Sequence, residues 1–223
     1  MARTPATTGA VARKYHHGDL RAALLAAAEE ELVEAGLAGF SLRGTARRAQ
    51  VSHAAPAHHF ANADALLSAL ADAGFARLAD RMARDMEAAG DAPAQRLASV
   101  GRAYIAFAQA HPQLFRLMFF GQRPRQLAQT CADFQVAEGT GASASAFGLL
   151  RDCVEAVLGP SASGAAVAAG VTASWGLVHG ISHLLIEDAM GFLAPLDARQ
   201  RQAVIDEAID TLATAVGHGR TGR

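Results

Sequence analysis

The chain has 223 residues, of which 51% are hydrophobic and 18% charged, and a formal net charge of −1. Such a length leaves room for one large or two small domains with a sizeable core, and such a composition excludes a disordered chain. The near-zero charge excludes a uniformly basic nucleic-acid coat, so any contact with DNA must come from a local patch.

Alanine dominates, there are only 7 prolines, and β-branched residues are sparse, so the expectation is an all-α fold. Residues 1–14 are small, polar and basic, without an apolar period, and read as a flexible basic arm. Within the first 21 residues Arg3, Arg13, Lys14 and Arg21 outnumber the single Asp19, a local positive patch that can follow a phosphate backbone or enter a minor groove. No apolar run follows these basic residues, so no signal peptide is expected.

A first helix is predicted from about Gly18 to Ala35, with a buried stripe of Leu20, Leu24, Leu25, Ala28, Leu32 and Val33. Asp19 suits its positive end and Gly36 is placed to cap its C-terminus. Glu29, Glu30, Glu31 and Glu34 read as a solvated outer face. From Ser41 to Phe60 the pattern is two short helices joined by a tight turn. Ser41 caps the first, in which Leu42, Ala46 and Ala49 share one face and leave Arg43, Arg47 and Arg48 to water or phosphate. That helix stops at Gln50-Val51, and Ser52 is expected to cap a second helix with Pro56 in its first turn. Two helices so spaced are a helix-turn-helix candidate, whose second member enters a DNA major groove.

Asn62 is expected to cap a fourth helix over Ala63 to Ala88, with Leu66, Leu67, Leu70, Phe75, Leu78 and Met82 inward, ending at Gly90. A fifth, over Asp91 to Ala110, turns Leu97, Val100, Tyr104, Ile105 and Phe107 largely inward, and Pro112 opens a sixth. Residues Gly121 to Gly141 have weak periodicity and read as a loop with a short helix around Gln126 to Ala137. A seventh helix is predicted over Ala142 to Leu158. The eighth, about Gly164 to Phe192, contains a stretch from Ala165 to Ile186 without Asp, Glu, Lys or Arg, long enough to span a bilayer. Its alanine, glycine, Ser174, Ser182 and histidines better suit a helix buried against other helices on most sides, so no membrane is expected. A ninth helix, about Asp197 to Val216, carries the stripe Val204, Ile205, Ala208, Ile209, Leu212, Ala215 and Val216. An uncharged helix beside an amphipathic one suggests a dimer interface in which each subunit gives two helices to a four-helix bundle.

Several of these segments resemble one family. Tyr15-His16-His17-Gly18-Asp19-Leu20-Arg21, Leu42-Arg43-Gly44, Ala46-Arg47, Val51-Ser52-His53-Ala54-Ala55-Pro56, His59-Phe60 and Leu66-Leu67 are similar to the DNA-binding domain of TetR-family (tetracycline-repressor-like) transcriptional regulators. More loosely, His111-Pro112, Leu114-Phe115-Arg116-Leu117-Met118-Phe119 and Trp175-Gly176-Leu177-Val178-His179-Gly180 resemble the regulatory half of one branch of that family. The resemblance implies a helix-turn-helix domain over residues 15–75, an effector-binding and dimerisation domain over 76–217, a tail at 218–223, and about nine helices. It departs from the family pattern where Gln50 replaces a glycine in the turn, and where Ala57 and Ala63 replace a phosphate-binding tyrosine and lysine.

The resulting expectation is a cytoplasmic, homodimeric, ligand-responsive repressor that binds a near-palindromic operator and is released by a small apolar effector. Its DNA contacts would come from Lys14, Arg43, Arg47, Ser52, His53, Ala54, Ala55, His58 and His59, with the histidines binding more tightly once protonated. Tyr104, Phe107, Phe119, Phe147, Trp175 and His179 would line the effector cavity, among aromatics that are otherwise core. His183, Val204, Ile205, Ile209 and Leu212 would form the dimer interface. The alternative is a helical ligand-binding or protein-interaction dimer with a silent DNA head, motivated by Gln50, Ala57 and Ala63.

No cofactor or metal is expected: His179, His183 and Glu187 share one helix face, but a further ligand from elsewhere would be needed. Cys131 and Cys153 lack a metal-ligand spacing and read as unpaired thiols of a reducing compartment. No Gly-rich phosphate loop, nucleophile elbow or His-Glu-x-x-His stands out, so no enzyme is expected.

Overall fold

A computed structural model describes residues 17–120 and 142–218, and all regular structure among them is helical. Lys14, Cys131 and the short helix expected around Gln126 to Ala137 lie outside the described residues. The first helix, α1 (His17–Gly39), buries Leu24, Ala28 and Leu32 almost completely. Its path breaks at Gly36, whose φ of 66° and ψ of 176° suit glycine alone, where the sequence placed a cap. Val33 does not belong to the buried stripe: one step past Leu32 it lies a quarter-turn round the helix and is 64% exposed.

α2 (Leu42–Arg48) starts as expected, with Ser41 Oγ accepting the Gly44 N–H at 3.0 Å. It ends in two nested bonds, Gln50 N–H to the Arg47 carbonyl at 3.2 Å and Val51 N–H to the Ala46 carbonyl at 3.0 Å. This closure is a Schellman motif, which puts the residue after the cap in the left-handed region, and Gln50 has φ 56°. The expected second helix is shorter than the pattern suggested: a single 3-10 turn, Ala55–His58. Ser52 does not cap it through its side chain. Proline at 56 has no N–H to give the Ser52 carbonyl, which instead accepts from Ala55 at 3.0 Å, and this tightens the turn.

Asn62 Oδ1 then accepts the Ala65 N–H at 2.8 Å and opens α3 (Ala63–Ala88). The contacts of the chain divide between Leu66 and Leu67, whereas the sequence reading placed the change at 75/76. In the second unit α4 (Pro93–Ala110) buries nine residues over more than half of its circumference and packs against α6 (Ala142–Leu158), α7 (Gly164–Ile186) and α8 (Ala198–His218). α5 (Pro112–Phe120) follows α4 directly.

α7 is shorter and more exposed than expected. It stops at Ile186 in another Schellman closure, with Asp188 at φ 51° and Ala189 N–H bonded to the Leu184 carbonyl at 2.8 Å, before a 3-10 turn at Gly191–Leu193. It is long and apolar enough to cross a membrane, yet Val167, Val171, Ser174, Val178 and Ser182 are buried against its neighbours. Ala165, Ala169, Ala173, Gly176, His183 and Leu184 lie on exposed positions, so the helix is not covered on most sides.

Candidate functional site

Two arrangements bear on function, one in each unit. In the first, Glu31 is 4% exposed and not part of a solvated face. Its Oε2 accepts from Arg48 Nε at 2.7 Å, and Ser41 Oγ lies 3.4 Å from Oε1. The Gly44 backbone passes so close that a Cβ there would sit 1.7 Å from Oε1. One carboxylate thus ties α1 to the start, middle and end of α2. Arg48 also donates to Glu34, and these two carboxylates, Glu31 foremost, hold its guanidinium above the ordinary arginine pKa. Arg48 is therefore engaged by two carboxylates of α1, where the sequence left it to water or phosphate.

Arg43 and Arg47 are exposed one turn apart on α2. Ser52, His53, Ala54 and His58 are exposed on and before the 3-10 turn, and Ala55 and His59 are half-buried. Phe60 is 5% exposed, a core plug, with the Arg21 guanidinium 5.4 Å from its ring centroid. This surface carries two cationic forks on α2, which Glu31 ties to α1, and several imidazoles on and before the 3-10 turn.

In the second unit the helices enclose a cavity of about 840 Å³, open mouth included. Phe75, Leu78 and Met82 of α3, Tyr104 of α4, Phe119 of α5, Phe147 of α6, and Ser174 and Trp175 of α7 form much of its wall. Tyr104, Phe119, Phe147 and Trp175 were expected there. Phe107 is not on the wall: it is 4% exposed, packed by the His111 ring at 5.0 Å, with the Arg77 guanidinium 6.0 Å from its centroid. His179 stands just behind the wall. Its Nδ1 is 2.9 Å from the Tyr104 hydroxyl and its ring packs on Phe119 at 4.9 Å.

Burial pushes the Tyr104 phenol well above its ordinary pKa, and a hydrogen bond with Trp175 offsets this only in part. An indole N–H can only donate, so the phenol keeps its own proton for His179 Nδ1, and the neutral imidazole carries its hydrogen on Nε2. Burial, then the neighbouring His183, lowers the His179 pKa and keeps that ring neutral. Glu187, the third member of the histidine face, is engaged by Arg116 at 2.8 Å. Among the described residues no cluster of three metal-ligating side chains occurs.

Two residues expected at the dimer interface are instead interior. Ile205 and Ile209 are 4% and 3% exposed within one chain, and Ile209 and Leu212 line the cavity. The amphipathic stripe was real, but it faces α4, where Gly101 lets Ile209 approach to 3.3 Å of the place a Cβ would occupy. His183 and Val204 are exposed. The sequence reading missed Ser174. A hydroxyl next to the only tryptophan, in an uncharged run, was its one signal. Cys153 is buried beside Met86 and its thiol is pushed up to about 11, chiefly by burial, so it is not a nucleophile.

A helix-turn-helix head in one unit and an apolar cavity in the other define the class of ligand-binding transcriptional regulators. A family model described as "Bacterial regulatory proteins, tetR family" matches residues 24–70, and one described as "Tetracyclin repressor-like, C-terminal domain" matches residues 97–212. The second match alone spans more than half of the chain, and the protein belongs to the TetR family of transcriptional regulators, with a DNA-binding and a ligand-binding domain.

A solved protein of unknown function from Rhodococcus sp. RHA1 is 31% identical, over 93% of this chain and 98% of that one, with a TM-score of 0.69. Two others share the fold at lower identity. A TetR variant from Acinetobacter baumannii AYE, in complex with minocycline, is 20% identical over 94% of this chain and 100% of that one, with a TM-score of 0.60. The fatty acid degradation regulator FadR from Bacillus halodurans is 13% identical over 95% and 100%, with a TM-score of 0.62. No curated protein matches.

Proposed function

We propose that the protein is a cytoplasmic, homodimeric repressor that leaves its operator when a small apolar molecule fills the cavity of the second unit. The observation that carries this reading is the continuity of α3. Its first turn follows directly on the helix-turn-helix segment, and further along it puts Phe75, Leu78 and Met82 into the cavity wall. A ligand that favours one position of that helix over another changes operator affinity by its difference in affinity for the two states. The proposed domain limits are 15–75 for DNA binding and 76–217 for effector binding and dimerisation.

Arg43 and Arg47 are proposed to bind phosphate, with Lys14 adding a further cation. Ser52, His53, Ala54, Ala55, His58 and His59 are proposed to reach the groove. In a dimer, two such turns would meet successive major grooves about 34–36 Å apart. The dimer surface is proposed on the exposed side of α7, where Ala165, Ala169, Ala173 and Gly176 carry no charge and permit close backbone approach, with His183, the 41% exposed Leu184 and the 42% exposed Val204 beside them. Ala173→Arg is expected to give monomers in sedimentation, and an unchanged dimer mass would remove this surface. The role is regulatory, without turnover of the bound molecule.

Selection of random-sequence duplexes by the purified protein at about 50 mM salt tests DNA binding directly, followed by titration of the winner at rising salt. An inverted repeat with steep salt dependence is expected. Adding Ala57→Tyr and Ala63→Lys should steepen the salt slope by about 1 in a working head, since of the two only the lysine neutralises a phosphate. No enrichment from folded dimer would leave a ligand-binding dimer with a silent head.

A further inference from the structure

Ser174 is 4% exposed, lies on the cavity wall, and its Oγ has no hydrogen-bond partner among the described residues. A serine inside a helix ordinarily satisfies itself on the carbonyl four residues back, as Ser182 does on Val178 at 2.7 Å in the same helix. Ser174 does not. A buried hydroxyl without a partner is disfavoured unless something else supplies one. The other polar side chains of the wall among the described residues, Tyr104 and Trp175, are occupied with each other and with His179. Among the described residues no lining side chain is charged, so a carboxylate, phosphate or ammonium group entering here would lose its hydration and meet no counter-charge from them.

We propose that the cavity takes an uncharged, largely apolar ligand bearing one hydroxyl, carbonyl or amide that pairs with Ser174 Oγ, and that it rejects organic anions and cations of the same size. This rests on reading the cavity as the effector site. The hydroxyl both donates and accepts, so it serves either kind of neutral polar group. Among the described residues it is also the one polar side-chain atom on the wall left for a ligand, which sets orientation: the polar end lies at α7 and the apolar body runs among Phe75, Leu78 and Phe147.

Trp175 is the only tryptophan in the chain and stands on the wall, so its emission reports on occupancy. The full-length protein at pH 7.5 is titrated with octan-1-ol, octanoate and octylammonium, three probes that differ in charge at equal chain length. Saturable change with octan-1-ol is expected, with both ions at least about tenfold weaker because each must shed its hydration unpaired. Ser174→Ala, an easy change inside a helix, should weaken octan-1-ol by about 2- to 12-fold, the range of one neutral hydrogen bond, while melting shows the variant folded.

Binding of either ion as tightly as the alcohol overturns the ligand class and leaves the effector site standing. Silence from all three probes overturns the effector site itself. Equal affinity of the parent and Ser174→Ala for the alcohol overturns the role of Ser174.

Discussion

Glu31 in the DNA-binding head and Ser174 in the cavity are equally buried, at 4% exposure each. Around Glu31 every neighbour answers the charge: Arg48 at 2.7 Å, the Ser41 hydroxyl, and a glycine that leaves room for it. Around Ser174 no described side chain or carbonyl answers at all. A buried polar group that is fully paired fixes geometry, and here it holds α2 on α1 under the residues proposed to touch DNA. A buried polar group left unpaired is disfavoured unless a partner reaches it from outside. The difference separates the part of this protein that must keep one shape from the part that must admit a guest.

The strongest way to break that contrast is in the second unit's own framework. Ile209→Ala should cost about 3–4 kcal/mol, because the side chain is 3% exposed and fills space against Gly101 of α4. Melting followed by Trp175 emission measures it. Sedimentation should show the dimer retained at low temperature. A stable protein that dissociates would instead make Ile209 an interface residue and put the cavity wall in doubt.

In the head the corresponding change is Gly44→Ala. A methyl group 1.7 Å from the Glu31 carboxylate cannot be accommodated, and displacing that carboxylate should cost about 2–3 kcal/mol. Adding Glu31→Ala to Gly44→Ala should recover the steric part of the loss. A double variant with the full sum of two single losses would show that the two residues do not interact, and the anchor would fall with it.

Much of this architecture was legible because helix ends leave chemical marks. Ser41, Asn62 and Pro112 open their helices where side-chain acceptors or a missing N–H are needed, and Gly36 takes the positive φ at which the path of α1 breaks. The apolar period of α3 and α4 gave the inward residues Leu70, Phe75, Val100 and Tyr104 for the same reason. What remained hidden was pairing at a distance. Glu31 stands among like charges, and nothing local announces that Arg48, 17 positions on, comes back to it. The stripe on α8 said that Ile205 and Ile209 would be covered without saying by what. Pro56 was read as harmless in a first turn, whereas its absent N–H left a 3-10 turn in place of a helix.

A smaller effect distinguishes the neutral cavity from the charged head by pH. The His179 pKa is lowered by burial and by His183, so on acidification the unfolded chain takes up a proton before the folded one does. Stability is then unaffected above the ordinary histidine value of about 6.5 and declines as pH falls from there toward the lowered one. His179→Gln should flatten this part of the acid limb when melting is followed from pH 7 to pH 5. An unchanged limb would mean that His179 takes up its proton as readily in the folded chain as in the unfolded one, and so is not held neutral by the fold.

The smallest expected effect returns to the turn between α2 and the 3-10 segment. Gln50 sits at φ 56° because the Schellman closure of α2 demands it, and an L side chain there is strained by about 1–2 kcal/mol. Gln50→Gly relieves the strain but gives the unfolded chain more freedom, which takes back about 0.4–1 kcal/mol. The net gain should therefore be about 0.5 kcal/mol, seen in a denaturant midpoint shifted up without a change in slope. Gln50→Asn, which tolerates the left-handed region through its short polar side chain, should gain a fraction of that. Because the strain lies in the turn that presents His53 and His58, the same substitution should leave the probe affinities of the cavity untouched. A loss of octan-1-ol binding on Gln50→Gly would show that the turn and the cavity share one energetic unit.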